Sequence, residues 1–182
     1  MYFMKMTGKK CFLSPIDEND AEKFTEWLND PEVTRYIFLY SSVINTTNEK
    51  ELLAKLSREH HYSIIDMESK SLIGNCGLHR IDHLNQTAEA GIFIGNKDYW
   101  NKGYGTEALQ LLLDYGFKAL NLHNINLGVY SFNERAIGSY KKIGFQTIGK
   151  KREALLRGKT RHDIVLMDIL FDEFYERYKN NS

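Results

Sequence analysis

Only two prolines and two cysteines occur in this 182-residue chain, and nowhere does it carry a long apolar run. The cysteines, Cys11 and Cys76, show no paired metal-ligand spacing and no disulfide framework, so they read as reduced core thiols. Residues 1–6 lack the apolar stretch and small-residue cleavage site of a secretory leader, and no later segment is long enough to span a bilayer. The expected location is therefore the cytoplasm, with no membrane partner. A charge excess is missing too: Lys plus Arg and Asp plus Glu both number 24, so no net positive field gathers the phosphates of a nucleic acid. Repeats, low-complexity tracts and linker-like composition breaks are also absent.

What is present suits a folded protein. A hydrophobic content of 42% with 26% charged residues separates the chain from disordered sequences, and its length suits one domain over residues 1–182. Residues 10–13 read as a first strand. In residues 17–29, Ala21, Phe24, Trp27 and Leu28 fall at helical spacing, and Asn29-Asp30-Pro31 ends that helix. A second helix is expected over residues 48–59, with Leu52, Leu53 and Leu56 on one face and Thr47 as its cap. Residues 62–67, 72–80 and 88–94 suggest an antiparallel meander. A long helix follows residues 102–106 and runs to about Leu120, with Leu109, Leu112, Leu113, Gly116 and Leu120 on one stripe. A strand through Ile125, Leu127 and Val129, a helix over 134–142, a strand from Phe145 and a hairpin turning at residues 157–160 complete a mixed α/β order.

Two places carry chemistry. Gly103 and Gly105 open the long helix, where a tight backbone brings N–H groups close to an anion and the helix start adds positive partial charge. That is a phosphate site in outline, although a glycine pair before a helix is often only a turn. The third glycine of a dinucleotide fingerprint is missing, and no Gly-Lys-Ser/Thr triplet is present. The second place is residues 133–145. Asn133 stands where a helix cap is needed and Gly144 where that helix must stop. Tyr140 lies one turn beyond Ala136 and Ile137 on their apolar face, where a phenol needs either a structural hydrogen bond or a function.

Taken in this order, the segments Tyr99-Trp100-Asn101-Lys102-Gly103-Tyr104-Gly105-Thr106-Glu107-Ala108 and 133–145 resemble the two acetyl-coenzyme A motifs of the GNAT N-acetyltransferases. Within that family the chain is most similar to the Rim-type ribosomal-protein N-terminal acetyltransferases and the spermidine N-acetyltransferases. Trp27-Leu28-Asn29-Asp30-Pro31-Glu32-Val33 and Asp114-Tyr115-Gly116-Phe117 extend the likeness, which is firmest from Ala88 to Phe145. One departure is Trp100, which stands where the family's first loop has Gln or Arg; it weakens one side-chain contact and leaves the backbone cradle intact.

The resemblance implies a mixed, mostly antiparallel central sheet with two splayed parallel strands and flanking helices. It further implies that Ile92, Phe93 and Ile94 offer main-chain groups to the pantetheine of acetyl-CoA and an N–H to its thioester carbonyl. Asn101, Lys102, Gly103, Tyr104, Gly105 and Thr106 would cradle the pyrophosphate, Asn133 would contact the pantetheine amides, and Tyr140 would stand near the sulfur. An amine acceptor is mostly protonated at neutral pH and needs a base. Glu89 is the leading candidate, sharing a strand face with Gly91 and Phe93; a strand-edge salt bridge is its plain alternative. When coenzyme A leaves as a thiolate, the Tyr140 phenol can protonate it.

The remaining polar features fit ordinary roles. His60 and His61, and His79 with His83, lack a third ligand at metal spacing, so no metal is expected. Glu173, Glu176, Arg177 and Lys179 suit a solvated terminal helix or tail. Acetyl-CoA and an amine are the expected partners of a monomer or homodimer. The acceptor is open among a protein N-terminus, a polyamine, an amino sugar and other small amines; for a polyamine, Asp30, Glu32 and Glu49 lie in the region where the family builds its acceptor site. A catalytically silent coenzyme A-binding module is the alternative outside enzymes.

Overall fold

A computed structural model describes residues 1–38 and 42–179, with the side chains of residues 178 and 179 outside the description. These residues fall into two compact units, Met1–Leu78 with Gly91–Leu112 and His79–Ala90 with Leu113–Ser182.

In the first unit, β1 (Met6–Thr7) turns back into β2 (Cys11–Pro15), and β2 pairs antiparallel with β3 (His61–Asp66). β3 pairs antiparallel with the beginning of β4 (Leu72–Asp82). One 3-10 turn, Glu18–Asp20, leads into α1 (Ala21–Leu28), whose buried face is Ala21, Phe24, Trp27 and Leu28, the four residues marked by helical spacing. Asp30 accepts the Glu32 N–H and starts a second short helix, α2 (Pro31–Thr34). Proline suits that first position because its missing N–H would have no intrahelical partner there. The proline that stops α1 thus also begins α2, which the sequence reading did not separate. α3 (Thr46–Leu56) is capped by Asn45, whose side chain accepts the Asn48 N–H, and not by Thr47. Asn45 is extended and so can be the last residue outside the helix, whereas Thr47 is already helical. The apolar centre of this unit joins Phe12, Phe24, Trp27, Leu53, Ile65 and Leu72, with Phe93 and Trp100 packed against it.

β5 (Thr87–Ile94) and α4 (Tyr104–Ala119) contribute residues to both units. In the second unit the first residues of β5 pair in parallel with β6 (Asn124–Tyr130). α5 (Glu134–Ile143) leads to β7 (Gln146–Arg157), which forms a hairpin with β8 (Thr160–Leu170). β8 lies antiparallel along β6 from Asn124↔Leu170 to Tyr130↔Ile164. α6 (Phe171–Lys179) is more than a solvated tail: Phe174 is buried, and the Phe117 ring meets the rings of Phe171, Phe174 and Tyr175. The strand order is β1-β2-β3-β4-β5-β6-β8-β7, a mixed α/β fold in which β1–β2, β2–β3, β3–β4, β6–β8 and β7–β8 pair antiparallel and β5 pairs with β6 in parallel.

Candidate active site

The glycine loop belongs to the first unit. Asn101 (φ 61°) and Gly103 (φ 85°) are both left-handed, which curls the chain just before α4. Asparagine tolerates that region better than most side chains and glycine enters it freely. The Gly103 carbonyl accepts the Glu107 N–H at 3.0 Å, so Tyr104 and Gly105 head the helix, where backbone N–H groups have no acceptor within the helix. Asn101, Lys102 and Gly103 are exposed, while Tyr104, Gly105 and Thr106 are half-buried. Gly105 is different from Gly103: a β-carbon on it would meet Ile94 at 3.7 Å, an ordinary contact.

Two carboxylates hold this loop. The Tyr104 hydroxyl donates to Asp66 at 2.7 Å, while the Ser69 hydroxyl and amide donate to the other Asp66 oxygen. Burial acts to raise the Asp66 carboxyl, but the hydrogen bonds from Ser69 and Tyr104 outweigh it and hold it below the usual carboxylate range. That bond, followed by burial, pushes the Tyr104 phenol up to about 12. Glu107, in the first turn of α4, accepts the backbone N–H groups of Lys9, Lys10 and Cys11 at 3.1, 2.8 and 2.9 Å. The Trp100 indole donates to the Ile94 carbonyl at 2.8 Å. The residue that departs from the family pattern thus ties the loop's entry to the end of β5, and one of the main-chain groups expected to face pantetheine already has a partner.

Along β5 the expected residues divide. Phe93 turns its ring edge-on to Phe24 and Trp27, with centroids at 6.1 and 6.3 Å. Glu89 lies in the second unit, where Arg80 donates from Nη1 to its Oε2 at 2.7 Å. The parallel ladder joins Thr87 to Asn124, Ala88 to Ile125 and Glu89 to Asn126, and pairs no residue of β5 beyond Glu89. The Asn126 side chain instead donates to the Ala88 carbonyl at 2.9 Å.

In the second unit Asn133 is nearly closed to solvent and caps α5, its side-chain oxygen accepting the Ala136 N–H at 3.2 Å. Its other amide atom has no protein partner among the described residues. The Tyr140 carbonyl accepts the N–H groups of Gly144 (3.1 Å) and Phe145 (3.0 Å), and the Tyr140 ring lies 5.8 Å from that of Phe145. Helix end and ring contact together fix the tyrosine. Its hydroxyl has no hydrogen-bond partner among the described residues, so the structural bond that would make it an ordinary core tyrosine is not there. Burial pushes the phenol up to about 12.

The acidic residues near the first helices have separate fates. Lys97 donates to both Asp30 (2.9 Å) and Glu32 (2.8 Å), and its hydrogen bond, followed by the Glu32 amide, holds the Asp30 carboxyl below the usual range. Glu49 is 3% exposed, and burial pushes its carboxyl up. The histidines do not gather: among the described residues no group of three His, Cys, Asp or Glu side chains could hold a metal. No helix there is long and apolar enough to cross a membrane. Asp66, Glu107 and Arg80 are the site neighbours that sequence reasoning missed. Arg80 alone had a local signal, since it lies near Glu89 across the turn that joins β4 to β5.

Known proteins bear on these arrangements. The acetyltransferase (GNAT) domain family matches residues 10–146. The chain is 32% identical to an uncharacterized N-acetyltransferase, p20, of Bacillus licheniformis, over 93% of this chain and 94% of the relative. It is 30% identical to the spermidine N(1)-acetyltransferase of Escherichia coli strain K12, over 84% and 82% respectively. Among solved structures, the spermidine N-acetyltransferase of Vibrio cholerae in complex with CoA and spermine superposes with a TM-score of 0.81 at 26% identity, over 92% of this chain and 99% of that one.

Proposed function

The chain belongs to the GNAT acetyltransferase family and uses acetyl-CoA, and from that premise we propose that it acetylates a primary amine by direct attack, with Tyr140 as acid and Glu89 as base. The observation that carries this reading is the hydroxyl of the half-buried Tyr140, which has no hydrogen-bond partner among the described residues. A phenol pushed up to about 12 stays protonated across the working pH range and is ready to donate.

In the proposed ternary complex the backbone of residues 101–106 holds the pyrophosphate, Asn133 meets the pantetheine amides, and main-chain groups of Ile92, Phe93 and Ile94 line the arm. The amine loses its proton to Glu89, directly or through water, and its nitrogen forms a C–N bond to the thioester carbon. The tetrahedral intermediate collapses with cleavage of the C–S bond. Tyr140 gives its proton to the departing sulfur and takes back the second proton that the nitrogen sheds as it becomes an amide, while Glu89 returns the first to solvent, so the products are an acetamide, coenzyme A thiol and one proton.

For the acceptor we propose a primary alkylamine, either a protein N-terminus or a polyamine. The named activity of the Escherichia coli relative supports the polyamine. The Lys97 bridge counts the other way, because it already neutralises part of the Asp30 and Glu32 charge. We place the enzyme in the cytoplasm, as one catalytic domain acting as a monomer or homodimer. Thiol release with N-terminal Ala and Ser peptides, spermidine and amino sugars decides the acceptor, and release with none of them would overturn the reading.

A further inference from the structure

Lys10 enters β2 with both of its backbone groups engaged. Its N–H donates to Glu107 at 2.8 Å and its carbonyl accepts the Met67 N–H at 2.8 Å. The side chain leaves this anchored backbone toward the glycine loop. Its Cε lies 3.8 Å from the place a β-carbon on Gly103 would take, and its ammonium stands 5.8 Å from the centre of the Tyr104 ring. Lys10 is exposed and forms no ion pair among the described residues.

The nearest acid in sequence to the loop does not quench this charge. Glu107 turns its carboxylate onto the backbone of Lys9, Lys10 and Cys11. Gly8 makes room for it, since a β-carbon there would stand 2.6 Å from the Glu107 oxygen. A carboxylate that would otherwise oppose an anion at the start of α4 instead fastens down the turn that delivers an ammonium. Backbone N–H groups give a pyrophosphate direction but only partial charge, and an ammonium at their edge adds a full one.

We infer that Lys10 binds the pyrophosphate of acetyl-CoA beside the glycine loop, with Glu107 as its positioning residue. This rests on the reading that the loop holds the pyrophosphate. Binding of coenzyme A, dephospho-coenzyme A and pantetheine to the wild type, Lys10→Ala and Lys10→Arg, measured by calorimetry, tests it. Loss of one charge-assisted contact predicts that Lys10→Ala weakens coenzyme A about tenfold. Dephospho-coenzyme A, which keeps the pyrophosphate, should suffer the same loss, Lys10→Arg should recover most of it, and pantetheine should bind all three proteins alike. Both backbone ties survive in Lys10→Ala, so its melting temperature without ligand should stay with the wild type. Equal affinity of Lys10→Ala and wild type for coenzyme A would overturn the inference. So would a penalty that disappears with dephospho-coenzyme A, because the ammonium would then serve the 3′-phosphate. A wild type that does not bind coenzyme A at all would overturn the reading of the loop itself, a result distinct from both.

Discussion

Arg80 holds Glu89 by a 2.7 Å contact between Nη1 and Oε2, and the two side chains differ sharply in exposure, 82% for Arg80 and 34% for Glu89. An ion pair this open contributes little to stability, under about 1 kcal/mol. Glu89→Gln should therefore fold normally. If Glu89 takes the amine proton, the same variant should lose roughly 10²-fold in kcat/KM, the ordinary scale of general-base catalysis. Arg80→Ala, which leaves the carboxylate in place, should lose much less. Equal, small effects of the two substitutions would reduce Glu89 to half of a surface salt bridge and leave proton removal to a water chain.

Acetyl-CoA should raise the melting temperature of the wild type, because a ligand that binds only the folded chain stabilises it by mass action. Gly103 and Gly105 should contribute to that shift for different reasons. At φ 85° a β-carbon on Gly103 strains the backbone itself, so Gly103→Ala should lower both the unliganded melting temperature and the ligand-induced rise. Gly105→Val should leave the unliganded protein nearly as stable and abolish the rise, since its branched side chain fills space needed beside the N–H groups. A full ligand-induced shift in Gly105→Val would put the phosphate site elsewhere.

Asp66 gives the anchoring of the loop a pH signature. Its carboxyl is held below the usual range in the folded protein, so it adds stability above about pH 4, its unfolded value, and loses that contribution as pH falls through the folded value. Asp66→Asn should be less stable than wild type by about 1–3 kcal/mol at pH 7, and the gap should narrow steadily in acid. Urea unfolding at several pH values measures this. A gap that stays constant from neutral pH to the lowest accessible value would mean that the ionised form has no special role there.

Much of this was legible in sequence because it is local. Helical spacing found the buried face of α1, and the pattern of Asn133 and Gly144 found both ends of α5. The cap of α3 was misplaced because Asn45 and Thr47 offer the same chemistry, and only the extended backbone of Asn45 separates them. α2 was hidden because a proline that ends one helix looks the same as one that begins the next. Glu107 gave no signal at all: its partners lie almost a hundred residues upstream and are backbone N–H groups, which have no sequence identity. The missing hydroxyl partner of Tyr140 could not be read either, since spacing places a side chain on a face without saying what meets its tip.

That hydroxyl carries the proposed acid catalysis. Tyr140→Phe keeps the ring against Phe145 and removes one atom that has no hydrogen-bond partner among the described residues, so melting temperature and coenzyme affinity should barely change. Because burial pushes the phenol up to about 12, its ionisation should also produce no falling limb in the wild-type pH–rate profile near neutrality. The deciding measurement is single-turnover acetylation of the amine chosen by the thiol-release panel, which reports chemistry even if product release limits steady-state turnover. The expected rate for Tyr140→Phe is roughly 10²-fold or more below wild type, with unchanged binding and stability. A single-turnover rate equal to that of the wild type would contradict it.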